Sequence, residues 1–132
     1  MLKLGLDTES LHLWFQNKRM DIFGFIEKAH ELGFDGVMIN ILKDYNLDPE
    51  WGTLMNNDPA HLKRVRDLLE SYHMYAELAT KGITKEHLLK VLDVAEALAA
   101  DIIRTYIPIT LNPLASRACL LYTSAVWKKK QP

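Results

Sequence analysis

The most regular pattern of apolar and polar positions lies over residues 23–41, FGFIEKAHELGFDGVMINI. Phe25, Ala29 and Leu32 are spaced three and four residues apart, which places them on one face of a helix. Asp21, two residues before this stretch, is a suitable N-cap for that helix. The pattern therefore predicts a first helix that begins after Asp21 and runs to about Leu32.

The second half of this stretch changes from a helical to a strand period. Gly33 is a residue that can take a positive φ where the helix ends, and with Gly36 it is expected to make the turn. A strand is then predicted from about Gly36 to Ile41, because apolar and other side chains alternate there. The expected helix-facing residues of this strand are Val37, Ile39 and Ile41, with Met38 and Asn40 between them.

The same two periods recur along the chain. Alternating leucines predict a short first strand over 2–7. Asp58-Pro59 and Thr84 each precede an apolar helical stripe and indicate helix N-termini. Strands are predicted after these helices, over 74–78 or slightly beyond and over 101–107. The expected buried stripes are Leu62, Val65, Leu69 and Tyr72 in one helix and Leu88, Val91, Leu92, Ala95 and Leu98 in the other.

Two segments between these elements are less regular. Residues 8–19 show no clean period and are predicted to be a long loop. Asp48-Pro49-Glu50 predicts a short helical turn through Leu54.

Strands that alternate with helices are typical of α/β proteins with a parallel sheet. If the sheet curls steadily, right-handed crossovers place all helices on one side, whereas a doubly wound sheet carries them on both sides. The period alone leaves both arrangements open.

The pattern changes after Pro113. The segment LASRACLLYTSAVWKKKQP has no helix cap and no strand alternation of useful length. We therefore expect one domain over 1–112 and a tail over 113–132 that is non-native or disordered. Within the tail, residues 118–124 are interpreted as translated adapter or read-through sequence.

Composition narrows the class of protein. The 132 residues include 16 basic and 17 acidic side chains, for a formal net charge of -1. This balance favours neither a nucleic-acid nor a membrane partner. The single cysteine, Cys119, cannot form an internal disulfide, and no apolar run approaches the roughly 20 residues of a membrane span. The first residues do not follow a signal-peptide pattern, so a cytoplasmic location is expected.

Four segments carry a family resemblance: KLGLDTES, KAHELGFDGVMIN, MYAEL and EALAADIIRTYI. Together they resemble the N-terminal half of xylose-isomerase-like TIM barrels, a group that includes sugar phosphate isomerases and epimerases. The resemblance covers about residues 2–108. It implies eight βα units and a divalent metal (Mn, Mg, Co or Zn) held by carboxylates and a histidine. Those ligands belong mostly to later strands, and this chain offers no convincing set of its own.

The resemblance leads to a specific expectation for the fold. The chain would supply four βα units of a parallel (β/α) barrel, a truncated TIM barrel, because a complete one needs about 250 residues. The full-length parent would be a metal-dependent sugar or sugar-phosphate isomerase or epimerase, and this fragment would be inactive alone. Unpaired edges of a half barrel favour association, so a homodimer through open sheet edges is an alternative.

Polar residues are predicted on the strand face opposite the aliphatic side chains. Carboxylates and amides bind hydroxyl groups, and arginine binds phosphate or carboxylate, so this set suits a sugar or sugar phosphate. Glu77 and Arg104 lie on adjacent strands and are expected to form an ion pair; the structural alternative makes this pair a stabilising one and Asp7 a turn residue. The candidate substrate-binding residues are Asp7, His12, Asn40, Glu77, Arg104 and Tyr106.

Other chemistry has weaker support. His12, just beyond the first strand, could contact substrate or metal, or be a loop histidine without a role. His30, His61 and His87 are expected on solvated helix faces, and there is no HExxH, CxxC or P-loop pattern. The alternative function is a small open-sheet α/β binding or signalling module without catalysis.

Overall fold

The computed structural model describes residues 2–41 and 58–106, and the backbone of 124–128. Strands alternate with helices of different lengths through these residues. The strands are β1 (Gly5–Asp7), β2 (Gly36–Ile41), β3 (Tyr75–Lys81), β4 (Ile102–Tyr106) and β5 (Ser124–Lys128). The helices are a 3-10 turn (Thr8–Leu11), α1 (His12–Gln16), α2 (Ile22–Glu31), α3 (Pro59–Ser71) and α4 (Lys85–Ala97).

The described strands form one sheet in the order β1-β2-β3-β4-β5. The first four are parallel, and β5 is antiparallel to β4. The predicted α/β class with a parallel sheet is therefore confirmed. Because the strand order never reverses, right-handed crossovers place α2, α3 and α4 on the same side of the sheet. The doubly wound arrangement is wrong for these strands.

The core lies between those three helices and the sheet. Phe25 and Ile26 of α2, Val65 of α3, and Ile39 and Leu78 of the central strands are completely buried. These side chains belong to one continuous hydrophobic cluster. Alternation along the strands then directs the intervening residues to the opposite face of the sheet.

The predicted helix starts are confirmed. The carboxylates of Asp21 and Asp58 and the hydroxyl of Thr84 each accept a hydrogen bond from a backbone N–H in the first helical turn. At the other end of α2, Gly33 takes a φ of 78° as predicted. Two non-glycine residues, His73 and Ala99, occupy the same position after α3 and α4, with φ values of 55° and 53°.

Residues 8–19 are not the predicted long loop. They form the 3-10 turn and α1, because Asp7 caps the turn by accepting the Glu9 backbone N–H and Phe15 is buried in the core. Two predicted core leucines are also exposed. Leu32 lies after the last residue of α2. Leu92 lies outside the buried face of α4, and Val94 is buried there instead.

Gly36 does not have the predicted turn role, since it is paired within β2 and is absent from the described residues with positive φ. It makes room for Tyr75 on the neighbouring strand. A Cβ atom on Gly36 would overlap the Tyr75 ring, and one on Gly5 would lie 2.6 Å from the Tyr75 hydroxyl oxygen.

β5 lies within 113–132, where the pattern predicted no strand. Backbone pairing joins its five residues to β4 from Ile102↔Lys128 to Tyr106↔Ser124. The free edge of β4 provides the backbone groups for these hydrogen bonds. β5 can therefore form without alternating apolar and polar side chains. The helical turn predicted at 48–54 and the last residue of the predicted fourth strand, Ile107, lie outside the described residues.

Candidate functional site

The candidate site is on the sheet face opposite α2, α3 and α4, here called the polar face. The register fixes its layout. Asp7 pairs with Met38, and Met38 with Glu77; Asn40 and Arg104 are both opposite Ala79. The members of the polar face are Asp7, Met38, Asn40, Glu77, Arg104 and Tyr106.

Asp7 is the centre of the hydrogen-bond network on this face. Its Oδ1 atom accepts the backbone N–H of Glu9 at 2.9 Å and the side-chain amide of Asn40 at 2.8 Å. Its Oδ2 atom lies 3.5 Å from Nη2 of Arg104. The last residue of β1 is thereby connected to both β2 and β4.

Asn40 is fixed by hydrogen bonds from both its backbone and its side chain. It is buried, and its backbone N–H donates to the hydroxyl of Thr8, which is also buried, at 3.0 Å. This bond joins β2 to the turn that follows β1. Since its side-chain N–H binds Asp7, the amide oxygen of Asn40 faces away from that bond with no donor among the described residues.

The contact between Asp7 and Arg104 passes over two intervening strands. A flat sheet would hold β1 and β4 about 14 Å apart, three steps of about 4.8 Å, and Arg104 also lies two residues further along the register than Asp7, so that even extended side chains would not meet. The contact therefore indicates that the sheet curls toward the polar face. Curling brings the carboxyl ends of the parallel strands closer together.

Arg104 has weak partners. Its Nη2 atom donates to the sulfur of Met38 at 2.8 Å, and its guanidinium carbon lies 5.3 Å from the centre of the Tyr106 ring. Its Nε atom is buried and has no hydrogen-bond partner among the described residues. Thioethers are weak acceptors, so the positive charge is only partly satisfied.

The predicted ion pair between Glu77 and Arg104 is wrong. Register explains why, because Glu77 is opposite Ile102, and Arg104 is opposite the small Ala79. The arginine side chain can then extend over β3 toward Met38 and Asp7. Among the described residues Glu77 has no hydrogen bond or ion pair, and it is half-buried.

The structure thus brings together Asp7, Asn40 and Arg104, and places Tyr106 against the arginine. His12 is not part of this network. It lies in α1, and its Nδ1 atom is hydrogen-bonded to the carbonyl oxygen of Glu9 at 2.9 Å, within its own turn.

The described residues of the polar face do not supply a complete set of metal ligands. Within 2–41 and 58–106 no three His, Cys, Asp or Glu side chains are grouped so that they could hold one. The carboxylate of Asp7 is already engaged by Asn40 and has the cationic Arg104 beside it, which disfavours a second cation.

His87 is one residue that sequence reasoning misplaced. Instead of lying on a solvated face, it is half-buried and its Nε2 atom is 2.8 Å from the hydroxyl of Thr80. Thr80 is completely buried and donates its proton to the carbonyl of Ile41 at 3.0 Å, so His87 donates to Thr80. The only available signal was the position of His87 in the first turn of α4, beside the end of β3.

At the opposite end of the same face, Tyr75 has a perturbed ionisation. Burial raises the pKa of its phenol above the ordinary value of 10.0, and the nearby carboxylates of Glu77 and Asp35 raise it further. Both causes disfavour the phenolate, so Tyr75 is a neutral group at physiological pH.

A groove of about 620 Å³ lies on the helix side of the molecule, between α3 and α4. The apolar side chains of Leu62, Val94 and Ala97 line it together with charges of both signs, including Lys63, Asp67 and Lys90. Lys63 and Asp67 pair with each other at 2.6 Å.

Comparison with known proteins finds no protein-family model that matches the chain and no curated protein that is similar to it. None of the helices in the described part of the chain is long and apolar enough to cross a membrane.

Proposed function

We propose that this chain provides four βα units of a xylose-isomerase-like (β/α) barrel and that its polar face binds a sugar or sugar phosphate. The supporting fold features are the sequential parallel order of β1 to β4 and the curl toward the polar face. The observation that carries the proposal is the network of Asp7, Asn40 and Arg104. Barrels bind their ligands at the carboxyl ends of their strands, where Asp7 and Asn40 lie.

The polar face has groups suited to a polyhydroxylated ligand. The amide oxygen of Asn40 and the carboxylate of Glu77 are acceptors for hydroxyl groups, and Arg104 and the Tyr106 hydroxyl are donors. Asn40 is oriented by Asp7 before any ligand arrives, so its immobilisation does not oppose binding.

The proposed reaction class is isomerisation or epimerisation, in which a carboxylate moves a proton next to a carbonyl. Asp7 is poorly suited to that task because its Oδ1 atom already accepts two hydrogen bonds. Glu77 is the carboxylate of this face that has no hydrogen bond within the described residues. Among the described carboxylates of this face, it is therefore the one available to accept a proton from a bound sugar.

Sugar binding can be tested by saturation-transfer NMR on the purified chain with a panel of aldoses, ketoses and their phosphates. We expect weak binding that is lost in Glu77→Ala and retained in Asp67→Asn, a matched acidic control on the helix side. Circular dichroism checks that both variants are folded. Absence of binding to every member of the panel, or equal binding by the two variants, would contradict the proposal.

A binding module without catalysis is the second candidate, and the engagement of Asp7 favours it. The two functions differ in whether a carbon-bound proton exchanges with solvent. Incubation of a bound sugar in D2O, followed by proton NMR, distinguishes them. If a carbon-bound proton exchanges in the wild-type chain and Glu77→Gln abolishes this exchange, the result supports proton transfer. If the sugar binds but no carbon-bound proton exchanges, the result supports a binding module.

A further inference from the structure

We infer that three buried threonines, Thr8, Thr80 and Thr105, are positioning residues for the ligand groups of the polar face. They are here called the junction threonines, because each hydroxyl joins the carboxyl ends of two neighbouring strands through a backbone group. This inference rests on the proposed function, since the junction threonines would set ligand affinity at that site without contacting the ligand.

Two of these hydroxyl groups join β2 to its neighbours. Oγ1 of Thr8, the residue after β1, accepts the backbone N–H of Asn40 at 3.0 Å. Oγ1 of Thr80 in β3 donates to the carbonyl oxygen of Ile41, the last residue of β2, at 3.0 Å. The carboxyl end of β2 is therefore held from both sides by side chains, in addition to the backbone pairing.

The third hydroxyl group joins β3 to β4. Oγ1 of Thr105 donates to the carbonyl oxygen of Gly82, the residue after β3, at 2.6 Å. Thr105 is paired with Thr80, and Thr80 with Ile41, so the last two bonds lie side by side in the sheet. His87 of α4 directs one of them, because its Nε2 atom donates to Thr80 at 2.8 Å and leaves the threonine proton for Ile41.

The junction threonines are buried at positions where valine would be an ordinary residue. Thr80 lies two residues after the buried Leu78 and is therefore on the helix-facing side of β3. Thr105 has the same relation to Ile103 in β4. A buried hydroxyl costs free energy unless it forms a hydrogen bond, whereas valine is well suited to strands. Packing alone therefore does not explain a hydroxyl at these junctions.

The bonds fix the backbone beside the ligand groups. Thr8 directly follows Asp7 in the chain and binds the backbone N–H of Asn40 itself. Thr105 directly follows Arg104, and their side chains point to opposite faces of β4. The threonine thereby anchors the backbone of the arginine from the helix-facing side. A binding site needs such anchoring, because its groups have to stay within about 0.5 Å of the productive geometry.

Valine and serine variants separate the hydroxyl from the shape of the side chain. Thr105→Val keeps the shape but removes the bond to Gly82, whereas Thr105→Ser keeps a hydroxyl. Isothermal titration of each intact chain with glucose 6-phosphate, or with the tightest-binding sugar of the panel above, gives the affinity. We expect about fivefold weaker binding in Thr105→Val, the equivalent of one hydrogen bond, and nearly wild-type binding in Thr105→Ser. Thr8→Val and Thr80→Val should weaken binding to a similar extent.

Ser71→Ala is the control, because it removes a hydroxyl-to-carbonyl bond of 2.7 Å to Leu68 at the end of α3, on the helix side of the sheet. It should bind like the wild-type chain. Circular dichroism at the titration temperature verifies that all variants are folded. Amide hydrogen exchange without ligand is a second readout, and exchange at Asn40 should be faster in Thr8→Val than in the wild-type chain and Thr8→Ser.

Unchanged affinity in the three valine variants would overturn the inference and leave the proposed sugar site standing. Equal weakening by Thr105→Val and Thr105→Ser would also overturn it, because the hydroxyl would then not be the cause. The same holds for unchanged exchange at Asn40 in Thr8→Val. If the wild-type chain binds no sugar of the panel, the proposed function fails and the inference fails with it.

Discussion

Gly36 illustrates how a single residue shapes the polar face. The ring of Tyr75 occupies the space that a side chain at position 36 would need. Gly36→Ala should lower the free energy of unfolding by about 1–3 kcal/mol, the usual cost of overpacking. Urea denaturation measures the change. Gly24→Ala in α2 is the control, because its new Cβ would meet nothing closer than 3.4 Å and should be neutral or stabilising by about 0.5–1 kcal/mol.

A double variant identifies the cause. In a Tyr75→Val background the ring is absent, so Gly36→Ala should cost much less than in the wild-type chain. An undiminished cost in that background would show that Tyr75 is not what excludes a side chain at Gly36.

Tyr75 also predicts a pH dependence. Burial and the carboxylates of Glu77 and Asp35 raise its pKa in the folded chain above the ordinary 10.0, so the native state binds this proton more tightly than the unfolded state. The resulting stability is present below about pH 10 and is lost as the pH rises through the folded-state pKa. Urea denaturation at increasing pH should show a steeper loss for the wild-type chain than for Tyr75→Phe. Parallel curves would contradict this.

At the level of elements, α2, α3 and α4 end in the same hydrogen-bond motif with a left-handed residue after it. In α2 that residue is Gly33, whereas α3 and α4 use His73 and Ala99. Relief of left-handed strain, about 1–2 kcal/mol, exceeds the entropic cost of glycine, about 0.5–1 kcal/mol. His73→Gly and Ala99→Gly should therefore each raise the free energy of unfolding by up to about 1 kcal/mol.

The control for these substitutions is Ala97→Gly, at the last residue of α4, where the backbone is helical. It should lower stability by about 0.5–1 kcal/mol. Thermal denaturation of the three variants gives the comparison, and a loss of stability in His73→Gly or Ala99→Gly would contradict the strain argument.

Local signals made much of this fold predictable. Asp21 and Thr84 mark helix starts because capping is decided within one turn, and β2 was located from its alternation alone. α1 was missed because it depends on the burial of Phe15 against distant residues. The left-handed end at Ala99 was missed because the sequence places no glycine there.

The site was predictable only in part for a similar reason. Alternation placed Asp7, Asn40 and Arg104 on the same face, and the structure brings them together. The choice of partner for Arg104 depends on strand register and on the curl of the sheet. The alternation of apolar and polar residues in the sequence predicts neither of these. That is why Glu77 was the wrong partner.

At the scale of the whole molecule, β1 ends the described sheet and has β2 as its strand neighbour there. Leu4, which immediately precedes β1, is 58% exposed. Open edges beside apolar side chains promote pairing between chains. Light scattering should show association that increases with concentration and that Leu4→Lys reduces. Leu89→Lys, at a similarly exposed leucine of α4, should have no such effect, and a wild-type monomer at every concentration would argue against edge pairing.

The central claim is that the polar face of the curled sheet is the ligand site. Titration of a hexose 6-phosphate into the isotope-labelled chain, followed by two-dimensional amide NMR, tests it most directly. The account predicts saturable shifts at Asn40, Arg104 and Tyr106, at the carboxyl ends of β2 and β4. Shifts confined to the groove between α3 and α4, around Lys63 and Lys90, or no shifts at all, would contradict it.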